Sequence, residues 1–166
     1  MTASWTTPRT WSDNELVTAA LMNAHVRDNE DYLLNPNDIY VKNTSSTDFT
    51  TTSASYVAVD ATLSVALTTY GGGVIIGTTF NCDASAGTIT FAFDVDGTQH
   101  LEFNPVVNPT PGTPDSRGRN VMVVRLPDSV VAAGAHTVSL KWKVSGGGTA
   151  TIYNDALNTF FWAVER

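Results

Sequence analysis

The sequence predicts a mainly β protein: a jelly-roll-like antiparallel β-sandwich preceded by an extended N-terminal arm and one α-helix. Three observations predict it. From Ile39 onward apolar and polar residues alternate with a period of two, in a series of short runs. Gly- and Pro-bearing turn signals separate those runs. Before Ile39 the spacing of apolar residues is helical instead, behind a Trp- and Pro-bearing start. The 166 residues are enough for one domain with a short appendage. Charged residues make up only 15%, so Thr, Ser and Asn must supply the polar surface, which suits strands and turns.

Residues 1–11 read as an extended arm, because Thr7-Pro8 disfavours helix at Thr7 and neither Trp5 nor Trp11 has a periodic partner nearby. Ser12-Asp13-Asn14-Glu15 fits a capping box, and Thr18 offers a second N-cap. Met22, Val26, Asn29 and Leu33 then share one helical stripe, with Leu21, His25 and Tyr32 beside it, until Asn35-Pro36-Asn37 stops the helix. So short and interrupted a stripe needs a partner surface. The division expected is 1–35 as arm and helix and 39–166 as sandwich.

Strands are expected near Ile39–Lys42, Tyr56–Val59, Leu63–Thr68, Val74–Phe80, Thr88–Val95, Gln99–Phe103, Val121–Leu126, Thr137–Val144, Ala150–Tyr153 and Phe160–Val164. Thr137–Val144 is the clearest. Val138, Leu140, Trp142 and Val144 face one way and Thr137, Ser139, Lys141 and Lys143 the other, a strand with one wet face. Ile89, Phe91, Phe93 and Val95 form a second inward row. Asp96-Gly97 signals a tight hairpin, and Gly71-Gly72-Gly73, Ala86-Gly87 and Gly146-Gly147-Gly148 punctuate the remainder. Asn104–Asn120 carries four prolines and is too long for a simple connection, so an exposed functional or interface loop is expected there.

Nine basic and sixteen acidic groups give a net charge of −7. Residues 1–40 hold two basic and six acidic groups, a net −4. An acidic chain is repelled by phosphate backbones, so nucleic acid is not an expected partner. No apolar run approaches the ~20 residues that span a bilayer, so no membrane is expected either. The start lacks a basic segment followed by an apolar one, so the expectation is synthesis in a cytoplasm without a signal peptide. The single cysteine, Cys82, excludes an intrachain disulfide.

Candidate chemistry is sparse. Asp94-Val95-Asp96-Gly97 opens like a calcium loop, but the ligands that should follow are absent and a hairpin turn explains the same residues. His25, His100 and His136 lack metal-ligand spacing and read as solvated or capping side chains. Cys82 has no CxxC partner and no basic neighbour in sequence, which marks a structural thiol. Neither a nucleophile motif nor a phosphate loop occurs. No catalytic residue, cofactor or metal is therefore expected, and the chain is not expected to be an enzyme.

Two features ask for partners. The arm, with Trp5, Pro8, Arg9 and Trp11, has the composition of an anchor, since large aromatics outside a packed domain must dock on something. The alternative is that it folds back on its own sandwich. The strand Phe160-Phe161-Trp162-Ala163-Val164 is apolar on both faces and so should be covered on both, the second cover being another subunit, a loop or the helix. Phe160, Phe161 and Trp162 are the interface residues this names, and a homotrimer is expected.

The ordered string Thr7-Pro8-Arg9-Thr10-Trp11, then Glu15 to Ala20, then Leu21-Met22-Asn23-Ala24-His25-Val26-Arg27-Asp28-Asn29 resembles an N-terminal segment of tailed-bacteriophage virion proteins. The resemblance spans about residues 4–34, and the chain departs from it at Glu30, where such proteins continue with an apolar residue. Ala133 to Trp142, Gly148 to Tyr153 and Trp162 to Glu165 are similar to a jelly-roll module of phage structural proteins. The resemblance implies a virion component, often trimeric, whose N-terminal segment attaches it to the major capsid protein or another virion protein. A capsid decoration or head fibre is the role expected for so short a chain. The alternative is a tail or tail-tip adhesin whose jelly roll binds a host glycan.

Overall fold

The computed structural model describes residues 5–34, 38–42, 47–105, 119–154 and 159–165. The helix stop at Asn35–Asn37 and most of the proline-rich loop lie outside the described residues.

The strands form two antiparallel sheets. In the first, β5 (Val74–Ala84) is central and β8 (Arg119–Leu126) runs along one side of it. Along the other side β10 (Ala150–Tyr153) and β11 (Phe160–Glu165) lie end to end, each pairing with one half of β5. Outside them β1 (Asp38–Lys42) pairs with β11 and β2 (Phe49–Thr51) with β10. At the end of β10 the Asn154 N–H donates to Asp48 Oδ1, just ahead of β2, at 2.8 Å. In the second sheet, β9 (Gly134–Val144) has β3 (Val57–Ala58) and β4 (Ser64–Thr69) end to end on one side. On its other side lies β6 (Ile89–Val95), which turns back into β7 (Thr98–Phe103).

If each end-to-end pair is taken as one interrupted strand, the described strands number eight, in the orders 1-8-3-6 and 2-7-4-5. That is the jelly roll of two interlocked Greek keys. The expected fold class is therefore the one observed.

Alternation decides the packing. Val138, Leu140, Trp142 and Val144 of β9 and Ile89, Phe91, Phe93 and Val95 of β6 meet Val74, Ile76, Phe80 and Cys82 of β5 across the core. Phe91 is the hub, with Phe80 at 4.4 Å, Phe103 at 5.6 Å and Trp142 at 5.8 Å between ring centroids. Cys82 is fully buried, and burial, then the Asp83 charge, pushes its thiol up to about 12, as a structural thiol requires. Asp96 and Gly97 both have positive φ, 52° and 90°, the type I′ geometry that matches strand twist, and the hairpin expected of them forms.

Three elements differ from expectation. β2 is a strand although its Thr-rich sequence does not alternate, because the free edge of β10 supplies its partner. β5 runs on from Phe80 to Ala84, where Cys82 keeps the inward row and β10 pairs with Asn81–Ala84. The helix starts at Thr18, whose Oγ1 accepts the Leu21 N–H at 3.2 Å. At the proposed capping box, Glu15 does accept the Ser12 N–H at 3.1 Å, but Asn14 takes φ 62° and the chain turns there without entering a helix.

Candidate functional site

The helix is built in three pieces: α1 (Ala19–Met22), a π-turn over Asn23–Arg27 and α2 (Asp28–Leu34). In the π-turn the Asp28 N–H reaches back five residues to the Asn23 carbonyl, which rotates the face that follows. Asn29 and Tyr32 are buried as a result, while Met22, Val26 and Leu33 of the expected stripe are exposed. Met22 and Val26 thus face away from the protein, and Leu33, though 68% exposed, lies at the edge of the joint with the sandwich.

Asn29 clamps the arm. Its Oδ1 accepts the Thr6 N–H at 2.8 Å and its Nδ2 donates to the Thr6 carbonyl at 2.9 Å, as a neighbouring strand would. Trp5 packs tilted on Tyr32 at 5.9 Å, and Trp11 meets His25 edge-on at 6.3 Å. Arg9 pairs with Glu15 and lies over the Trp11 ring at 4.9 Å, while Pro8 is exposed. The arm therefore folds back, but on its own helix. The helix in turn touches the sandwich through Tyr32, which packs edge-on against Tyr70 at 5.3 Å and donates its hydroxyl to Glu165. Burial, then the bond to Glu165 and its charge, raises the Tyr32 phenol well above the ordinary tyrosine range.

Around this joint lies a cavity of about 370 Å³ lined by Trp5, Tyr32, Leu33, Tyr70, Gly71, Gly72 and Glu165. Tyr32, Tyr70 and Glu165 were not among the residues singled out from sequence. Only Glu165 gave a signal, for alternation places it in the inward row of Phe161 and Ala163, where a charge is out of place.

The last strand divides its aromatics between faces. Phe161 is fully buried in its own sandwich against Phe93, so it serves the core and not an outer contact, which corrects the interface assignment at that residue. Phe160 and Trp162 lie on the outer face, half-buried. There the Trp162 indole lies flat over Gly77, so close that a Cβ at Gly77 would meet its ring at 2.1 Å. Ile75 and Val164 are also on this face, and Val121 and Val123 of β8 continue it at 63% and 53% exposure. The outer face of the second sheet is the opposite in character. Lys141 pairs with buried Asp94 at 2.7 Å, and Lys143 reaches Glu102 at 3.7 Å while lying over the Tyr56 ring. The first outer face is thus apolar up to Arg125, which follows Val121 and Val123 in the outer row of β8, and the second is charged.

Among the described residues, no group of three His, Cys, Asp or Glu is placed to hold a metal. His136 bridges segments: Nδ1 lies 2.7 Å from Asp96 Oδ2 and Nε2 lies 2.8 Å from the Ala132 carbonyl. Both ring nitrogens face acceptors, which suits the protonated ring. The Asp96 bond raises the His136 pKa, and the Thr137 N–H, then His136, lowers that of Asp96. A raised histidine stabilises fully below its unfolded value of about 6.5, and that stabilisation is lost as pH rises through the folded value. The melting temperature should therefore fall as pH rises from about 6 to 8.5, and His136→Gln should flatten that slope. An unchanged slope in the variant would assign the pH dependence elsewhere.

The strand order defines the class as jelly roll. No protein-family model and no curated protein sequence matches the chain. Solved structures that it is similar to include Eiger TNF from S. frugiperda, at 11% identity and TM-score 0.48, with 80% of this chain and 94% of that one covered. Another is VP2 of infectious bursal disease virus in a subviral particle, at 14% identity and TM-score 0.43. That match covers 79% of this chain, which spans only 37% of the VP2 chain. Latent PorU from Porphyromonas gingivalis is similar at 11% identity and TM-score 0.42, with 78% of this chain and 12% of that one covered. Likenesses this distant concern strand arrangement alone.

Proposed function

We propose that this chain is a non-enzymatic structural protein of a tailed-bacteriophage virion, a trimeric capsid decoration or head-fibre protein attached through its N-terminal segment. The observation that carries the reading is where apolar surface is left uncovered. Of the eleven large hydrophobic residues exposed among the described residues, six belong to the arm and helix: Trp11, Leu16, Val17, Met22, Val26 and Leu33. A helix that turns its apolar stripe to water lacks the surface it was built for. The resemblance of this same stretch to phage virion segments says what that surface is: another virion protein. The outer face of the first sheet, where Val121 and Val123 are exposed beside half-buried Phe160 and Trp162, is the second such surface, and the subunits of the trimer meet there. The charged face of the second sheet stays in water.

A low-resolution reconstruction of the particle tests this reading. It should show three-fold clusters of sandwich-sized density on the capsid shell. Density confined to the tail tip would overturn the decoration role. Release of reducing ends from host surface polysaccharide by the purified protein would overturn the non-enzymatic one.

A further inference from the structure

We propose that the cavity between arm, helix and sandwich is a binding site for a quaternary ammonium cation. Three rings from three separate segments line it: Trp5 from the arm, Tyr32 from α2 and Tyr70 from the loop after β4. They form one continuous wall, with Trp5 tilted on Tyr32 at 5.9 Å and Tyr32 at right angles to Tyr70 at 5.3 Å. Aromatic faces carry negative potential and attract a cation held over them.

The wall also contains a carboxylate. Glu165 is 3% exposed, and its partners are all uncharged: the Tyr32 hydroxyl, the Tyr70 N–H and, at 3.5 Å, the Gly72 N–H. Gly71, at φ +106°, lets the loop wrap the carboxylate in this way. Among the described residues no Lys, Arg or His forms an ion pair with Glu165. Arg125 reaches the same loop but donates to the Gly72 carbonyl. A buried carboxylate held only by neutral donors lacks its countercharge, and the first 40 residues add a net −4 of their own.

The chemistry of the wall selects the kind of cation. A divalent metal needs several oxygen ligands, and this wall offers one carboxylate whose lone pairs are largely taken. A primary ammonium or guanidinium brings three to five N–H groups that each need an acceptor. A quaternary ammonium has none to satisfy, and its methyl groups pack on aromatic carbon. The volume is within the range of small-ligand sites. The site does not depend on the particle-attachment reading, because every residue in it belongs to one chain.

The test is calorimetric titration of the full chain with choline at constant ionic strength. The comparison ligands are 3,3-dimethylbutan-1-ol, its neutral isostere, and ethanolamine, its primary-amine counterpart. Choline should saturate one site per chain and raise the melting temperature, and both comparison ligands should bind at least about tenfold more weakly. Trp5→Ala and Glu165→Gln should each weaken choline by a similar factor, and Glu165→Gln should leave the neutral alcohol unchanged. Trp5 lies outside the sandwich core, so that variant remains informative if Glu165→Gln does not fold. Equal binding of choline and its neutral isostere would reduce the site to an apolar crevice. Equal binding of ethanolamine would reassign it to lysine-like groups, and absence of saturation would remove it; each result overturns the proposal.

Discussion

Deleting residues 1–34 should leave a folded sandwich that no longer attaches to particles. Every residue of the sandwich's core cluster lies at Val59 or beyond, so the truncation removes none of it. What it does remove from the sandwich is the Tyr32 contact with Tyr70 and Glu165. A contact of that kind contributes on the order of 1–2 kcal/mol. At roughly 2–4 °C per kcal/mol for a chain of this size, the melting temperature should fall by a few degrees and the transition stay cooperative. Attachment, by contrast, should be lost entirely. All six exposed apolar residues of the arm and helix go, and three such segments on one trimer act together. Co-sedimentation with particles lacking the native protein, beside a melting curve, reads both effects. Full binding by the truncated chain would move the anchor into the sandwich. Collapse of the melting temperature would show that arm and helix are part of the protein's own core.

Replacing Val123 by Asp should convert the trimer to a monomer without unfolding it. Val123 is 53% exposed on an edge strand, so a carboxylate there is hydrated in the single chain. In the trimer it would be buried, unpaired, beside apolar neighbours, at a cost of several kcal/mol for each copy. Light scattering should give three times 17.8 kDa for the native protein and 17.8 kDa for the variant, with unchanged circular dichroism. A native protein that is monomeric at micromolar concentration, or a variant that stays trimeric, would rule out this face as the interface. Val121→Asp, at the same face and 63% exposed, is the matching control.

The strands of the sandwich were legible because alternation has one meaning at a half-buried surface. Thr137–Val144 shows both faces in its sequence, and the structure puts Val138, Leu140, Trp142 and Val144 inside as that pattern requires. The Asp96-Gly97 turn was legible for a similar reason, since two successive positive φ values suit few residue pairs. β2 was not legible. Phe49-Thr50-Thr51 has little preference of its own, and only a free edge elsewhere in the sheet makes it a strand.

The candidate sites were legible by composition and not by direction. The sequence by itself determined that the arm is aromatic, that a helix runs through Met22 to Leu33 and that the last strand is apolar on both sides. It could not say which side each residue would face. A single π-turn over Asn23–Arg27 rotates the second half of the helix and buries Asn29 and Tyr32, while Met22 and Val26 stay exposed. Pairing between β5 and β11 decides that Phe161 enters the core while Trp162 lies flat over Gly77 outside. The joining of Trp5, Tyr32, Tyr70 and Glu165 around one cavity is likewise tertiary, for these residues are far apart in the chain. Period and turn chemistry are local and act over a few residues, whereas facing and juxtaposition depend on contacts that form only when distant segments pack.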